Sequence, residues 1–205
     1  MKNSININGE AVFPSKIVCV GRNYAAHIEE LDNEVPTEPV IFIKPNSSIS
    51  DELWINDNDD IHYEGELAFL VQSGKFVAVG FGLDLTKRDI QAELKKKGLP
   101  WERAKAFDKS AVFSNFVGLE GDISELRMEL HINGKLVQDA GIKLMLNKPN
   151  ALLNEISTFL TLEAGDIVMT GTPSGVGVVQ QGDTFVGKVF NHNQLLVEDS
   201  WQVRS

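Results

Sequence analysis

Residues 61–71, Ile61-His62-Tyr63-Glu64-Gly65-Glu66-Leu67-Ala68-Phe69-Leu70-Val71, decide the fold class. Ile61, Tyr63, Leu67 and Phe69 alternate as a half-buried β-strand requires. Side chains two apart on a strand share a face, so Glu64 and Glu66 point the same way. Two neighbouring carboxylates repel each other unless solvent, a proton or a cation separates their charge. Facing water, they make an ordinary strand. Facing a cavity, they are half of a site for a hard metal ion.

Downstream, the strand turns at Ser73-Gly74-Lys75 and returns over residues 76–83 as a hairpin, closed by Asp84. Thr86 with Asp89 resembles a capping box, predicting a helix to about Lys97 that Gly98 and Pro100 stop. Strands follow near 111–117 and 127–132, and Asn133-Gly134 marks a type I′ turn. A helix from about Asn150 buries Leu153, Ile156 and Leu160; a strand over 167–170 then enters the glycine-rich loop 171–177, and short strands and glycine turns complete the chain.

Upstream, 17–20 and 40–43 read as strands, 24–31 as a short helix and 34–39 as a loop. Strands outnumber helices and do not alternate regularly with them, which predicts a mostly-β, α+β fold rather than a doubly wound sheet. With no repeat or linker, residues 1–205 are expected to form one domain, with 1–15 an N-terminal extension or edge strand.

Composition narrows the function. The chain is 42% hydrophobic and 23% charged, a globular balance, and its single cysteine excludes a disulfide framework or a cysteine-rich zinc site. No signal peptide is evident, and no apolar run approaches the roughly 20 residues of a membrane helix, so a cytoplasmic protein without membrane association is expected. The net charge of −10 argues against a nucleic-acid partner. The one basic run, Lys95-Lys96-Lys97, lies at a predicted helix end, where cations suit the macrodipole.

Four groups of residues carry chemistry. Glu64, Glu66 and Asp84 offer only oxygen, which selects Mg²⁺, Mn²⁺ or Ca²⁺ over zinc or copper; the same spacing also fits a solvent-facing row. His27 and Glu30 stand one turn apart, as a carboxylate-oriented base or as an exposed helix pair. Arg22, Lys44, Arg88 and Lys105 form a cationic set, each an ordinary solvated residue unless gathered; Lys105, between alanines, has an apolar setting where desolvation would lower its pKa. The loop 171–177 is no P-loop, yet its amides and the Thr172 hydroxyl could bind a carboxylate or simply form a turn. His62, on the face of Glu64 and Glu66, would support them from behind, whereas His131 and His192 sit in hairpins.

Taken in order, these segments resemble the fumarylacetoacetate hydrolase family, in its short branch of acylpyruvases and oxaloacetate-handling enzymes. The matching stretches include Val20-Gly21-Arg22-Asn23-Tyr24-Ala25-Ala26-His27, Phe42-Ile43-Lys44-Pro45, His62-Tyr63-Glu64-Gly65-Glu66-Leu67, Leu83-Asp84-Leu85-Thr86-Lys87-Arg88-Asp89, Lys97-Gly98-Leu99-Pro100-Trp101, Ala104-Lys105-Ala106-Phe107 and residues 165–177. The resemblance implies a mixed β-sandwich roll with a few short helices, a homodimer, and Mg²⁺ or Mn²⁺, with Ca²⁺ as a substitute, on Glu64, Glu66 and Asp84. It implies catalytic roles for His27, Glu30 and Lys105, and substrate contacts from Arg22, Lys44, Arg88, Gln91 and Thr172. Residues 47–60 match least well.

The expected chemistry follows from chelation of a small 2-oxo acid by a divalent ion that stabilises an enolate. The first expectation is hydrolysis of an acylpyruvate-type 2,4-dioxo acid, with His27, oriented by Glu30, activating water. The alternative is oxaloacetate decarboxylation or keto–enol tautomerisation in the same site. A non-catalytic binder of small acids is the third.

Overall fold

The computed structural model describes residues 2–56 and 60–205. Strands dominate, and the Gly65–Gln72 strand lies near the middle of the larger sheet. Strand order there is Val40–Pro45, Lys16–Gly21, Ile167–Met169, Gly65–Gln72, Lys75–Asp84, Ala111–Phe113, Ile49–Ser50, with Val117–Gly118 also pairing with Lys75–Asp84. Ile167–Met169 runs parallel to Lys16–Gly21 and antiparallel to Gly65–Gln72, so the sheet is mixed. A second, antiparallel sheet orders Lys135–Gly141, Leu126–Ile132, Thr184–Asn191 and Gln194–Gln202. The α+β, mostly-β expectation holds, as a curled sandwich with few helices.

The two sheets meet through Leu67, Phe69, Phe81 and Leu83 against Leu126, Met128, Leu130, Phe185 and Val189. Burying each such side chain contributes about 1.5–3 kcal/mol. Close approach demands Gly187: a Cβ there would stand 2.2 Å from Phe81 Cδ1. The opposite face carries Ala68, Leu70, Ile17, Cys19 and Ile167, covered in part by Ile5 and Phe116. Ile5 belongs to a small N-terminal hairpin, Ile5–Ile7 with Glu10–Val12. Helix Pro149–Ser157 lays Leu152, Leu153 and Ile156 on Val18, Val20 and Val168. Leu160 packs there from beyond the helix end.

Several local expectations change. Residues 61–71 are not one half-buried strand. The chain pairs Ile61–Tyr63 with a separate three-stranded sheet, breaks at Glu64, and resumes as Gly65–Gln72, buried on both faces down to Val71. A strand covered on both sides reads as a continuous apolar run, which is what residues 67–71 are. The strand expected over 111–117 is two, Ala111–Phe113 and Val117–Gly118. The closing strands, Thr184–Asn191 and Gln194–Gln202, are long rather than short. Within 47–60, which suggested no element, Asn46–Ser48 forms a 3₁₀ turn and Ile49–Ser50 a strand; 57–59 lie outside the described residues. Asn133-Gly134 turns with both φ positive, 52° and 78°, as type I′ requires.

Register builds the site. Lys44 pairs with Ile17, and Phe42 with Cys19. Cys19 pairs with Met169, and Met169 with Ala68, two residues from Glu66. Glu66 pairs with Gly82, two residues from Asp84. Phe42, Lys44, Glu66 and Asp84 therefore project from one face of the large sheet.

Candidate metal centre and active site

Carboxylate oxygens of Glu64, Glu66 and Asp84 lie within 4.8 Å of one another, and all three residues are buried. The strand break explains the convergence: Glu64 leaves the ladder, and its carbonyl accepts the Asp84 amide at 2.9 Å. Burial, then the Asp84 and Glu64 charges, push the Glu66 pKa well up, so without a cation this carboxyl favours its proton. Burial also opposes ionisation of Glu64, but Lys105 and Arg88 outweigh it and hold Glu64 well below the usual carboxylate range. Three buried carboxylates, one of them short of positive charge, fit a hard divalent cation.

The cations around them differ from expectation in two cases. Lys105 donates to Glu64 Oε2 at 2.8 Å, Asp84 Oδ2 at 2.7 Å and Thr86 Oγ1 at 2.6 Å. Burial alone would lower its pKa, but Asp84 and Glu64 raise it above the ordinary lysine value. The apolar flanks were legible and the two carboxylates facing the ammonium were not, so Lys105 is a fixed cation rather than a ready base. Lys44 is not a solvated residue and does not line the cavity. It is wholly buried on its strand, 2.9 Å from Asp84 Oδ1, and donates to the carbonyls of Leu85, Lys105 and Ser110 and to the Ser110 hydroxyl. It braces Asp84 from behind.

Thr86 does not cap the following helix. Arg88–Lys96 has no side-chain cap, because the Thr86 hydroxyl donates to the Asp84 carbonyl and accepts from Lys105. Arg88 donates to Glu64 Oε1 at 2.7 Å and to Gln91 Oε1 at 3.0 Å. His62 faces Asp60 at 3.2 Å and does not line the cavity, since the break at Glu64 separates the two faces. His131 pairs with Glu129 in the second sheet.

His27, Glu64, Glu66, Arg22, Arg88, Gln91, Lys105 and Thr172 all line one cavity. His27 Nδ1 stands 3.3 Å from Glu30 Oε2, leaving the other ring nitrogen without a hydrogen-bond partner among the described residues. Burial lowers the His27 pKa despite Glu64 and Glu30, so the ring is neutral at pH 7.

The glycine-rich loop serves the protein's own carboxylates. Gly171 N–H donates to Glu66 Oε2 at 2.7 Å and Gly175 N–H to Glu30 Oε1 at 2.9 Å. The Thr172 hydroxyl donates to the Gly65 carbonyl and accepts from Gln138 Nε2, so it is not a free donor for substrate. Gln138 also accepts the Gly65 amide and donates to the Pro173 carbonyl, locking loop to strand. No sequence signal singles out Gln138, one polar residue in a hairpin strand. Lys95 also lines the cavity, although by sequence it is a helix-end charge; its spacing from Arg88 and Gln91 places all three on one helical face.

Residues 16–195 match the model of the fumarylacetoacetate (FAA) hydrolase C-terminal family. The chain belongs to that family. It is 43% identical over 187 residues to the oxaloacetate tautomerase YcgM of Escherichia coli (strain K12), covering 82% of this chain and 85% of the relative. It is 35% identical over 236 residues to the mitochondrial oxaloacetate tautomerase FMP41 of Saccharomyces cerevisiae, covering 91% of each. The fold is similar, with a TM-score of 0.90 and 30% identity, to a crystal structure of fumarylpyruvate hydrolase from Pseudomonas aeruginosa in complex with Mn²⁺ and pyruvate, covering 98% of this chain and 95% of that one.

Proposed function

We propose that this protein is a divalent-metal-dependent oxaloacetate keto–enol tautomerase, with Glu64, Glu66 and Asp84 holding Mg²⁺ or Mn²⁺. The reading rests on oxaloacetate tautomerases 43% and 35% identical to this chain, aligned over most of both lengths. The relatives thus favour the alternative expectation over acylpyruvate hydrolysis. A bound divalent ion supplies a positive charge that acidifies the carbon next to a 2-oxo group and favours the enol form.

The chain's own residues handle the proton. His27 is neutral, oriented by Glu30, and faces the cavity, so in the keto-to-enol direction it takes a proton from C3 and the imidazolium delivers one to the oxo oxygen, and in the enol-to-keto direction both transfers reverse. Glu30, itself held by Gly175, stabilises the imidazolium that forms between these steps. Arg88 and Lys105 fix Glu64, and Lys105 and Lys44 fix Asp84, so the carboxylates are organised before substrate arrives. Tautomerisation breaks no carbon–carbon bond and consumes no water.

Acylpyruvate hydrolysis is the second reading, supported by the 30% identical fumarylpyruvate hydrolase and by the His27–Glu30 pair, which could equally activate water. Side-by-side assays with Mg²⁺ separate the two. The tautomerase reading expects rapid loss of the oxaloacetate enol absorbance and little cleavage of acetylpyruvate or fumarylpyruvate. Fast cleavage of an acylpyruvate with an uncatalysed rate of oxaloacetate enol decay would overturn it.

A further inference from the structure

Four cationic side chains line the cavity: Arg22, Arg88, Lys95 and Lys105. Lys105 is spent on Glu64 and Asp84, and Arg88 on Glu64. Arg22 and Lys95 form no ion pair with any carboxylate among the described residues. Among the described residues, Arg22 Nη1 reaches only the Glu34 carbonyl, at 3.5 Å, and its buried Nε has no partner. The Arg22 backbone is left-handed, φ 55°, a conformation a non-glycine residue holds at some cost. Lys95 is held by Trp101, its Nζ 5.3 Å from the ring centroid, while Lys96 and Lys97 on the same turn are exposed and Lys97 pairs with Glu93. Crowding among these cations is physical: burial, then Arg22 and Arg88, bring the Lys95 pKa down to about 8.

A cavity wall with two unbalanced cations favours an anionic ligand group. An ion held by the acidic cluster would take the carboxylate and oxo end of a 2-oxo acid. A monocarboxylate would leave Lys95 and Arg22 without a partner, whereas a dicarboxylate brings one. We propose that Lys95, with Arg22 beside it, binds the second carboxylate of a dicarboxylic 2-oxo acid and makes the site selective for diacids over substrates ending in a methyl group. The proposal rests on the reading above, that the acidic cluster takes the oxo-acid end, and adds the residue that recognises the other end.

The test compares binding of oxaloacetate with that of 2-oxobutyrate, in which a methyl replaces the second carboxylate, to the Mn²⁺-loaded protein by titration. The wild type should prefer oxaloacetate at least tenfold, and Lys95→Met and Lys95→Gln should reduce that preference to within threefold by weakening oxaloacetate alone. Lys95→Arg should keep it. Equal weakening of both acids, or an undiminished preference in Lys95→Met, would overturn the role of Lys95. Equal affinity of the wild type for both acids would overturn the diacid inference while leaving the oxo-acid site standing. Loss of the preference in Lys95→Met, with no tautomerase activity in the wild type, would support the inference and defeat the activity. No binding of either acid would end both.

Discussion

The backbone N–H of Gly171 donates to Glu66 Oε2 across 2.7 Å, fastening the loop to the carboxylate with the greatest shortage of positive charge. Only glycine serves there. Its φ is +97°, and a Cβ would stand 2.8 Å from Asn23 Cβ and 3.0 Å from the Val20 carbonyl oxygen. Gly171→Ala should therefore move the loop, cost about 1–3 kcal/mol of stability and weaken Mn²⁺ binding at least tenfold. Calorimetric titration alongside a melting curve checks both. Unchanged Mn²⁺ affinity would mean the Gly171 contact does not position Glu66.

His27→Ala should slow turnover by about 10²- to 10⁴-fold, the usual range for a lost acid–base group, while Mn²⁺ affinity stays within a few-fold. The pH profile carries a sign. Burial places the His27 pKa below its ordinary 6.5, so the active neutral ring persists down through that value and activity falls only at lower pH. An acidic limb centred above 6.5 in kcat/KM would contradict the assignment.

Lys44 tests the distinction between a cation that braces and one that meets substrate. Removing it leaves Asp84 buried with one cation fewer, so Lys44→Met should cost about 3–5 kcal/mol of stability. Denaturant unfolding measures this. A stable Lys44→Met protein with a raised KM alone would return Lys44 to the substrate-binding set.

Asp166 holds the turn before the Ile167–Met169 strand that leads to the glycine-rich loop. It accepts from the amides of Ser15, Lys16 and Glu163 and the Ser15 hydroxyl, and pairs with Lys16. Burial alone would raise its pKa, but these donors lower it below the ordinary 3.8. Its stabilising contribution is thus complete above pH 3.8 and disappears as pH falls through the lower folded value. Asp166→Asn should lower the melting temperature at pH 7 and narrow the gap from wild type near pH 2. An equal gap at both pH values would exclude the charge as the cause.

Much of this architecture was legible in the sequence because it depends on short-range pattern. Paired glutamates two apart, an aspartate closing the next strand and a histidine one turn from a glutamate all declare themselves by spacing. The type I′ turn at Asn133-Gly134 did so by its need for positive φ. What escaped depends on tertiary placement. The break at Glu64 follows from Ile61–Tyr63 joining a different sheet, which no local pattern records. Lys44 and Lys105 are both lysines in apolar surroundings, and only the fold decides that both face Asp84. Thr86 fitted a capping box by sequence, yet Lys105 claims its hydroxyl. Lys95 looks no different from Lys96 and Lys97 until the helix is rotated against Trp101.

The central claim is that Glu64, Glu66 and Asp84 share one divalent ion. Anomalous diffraction from crystals grown with Mn²⁺ tests it most directly. The account predicts one strong manganese peak in coordinating contact with carboxylate oxygens of all three residues, absent in Glu66→Gln. A peak elsewhere on the protein, with the three carboxylates bound only to Lys105, Arg88 and Lys44, would contradict it.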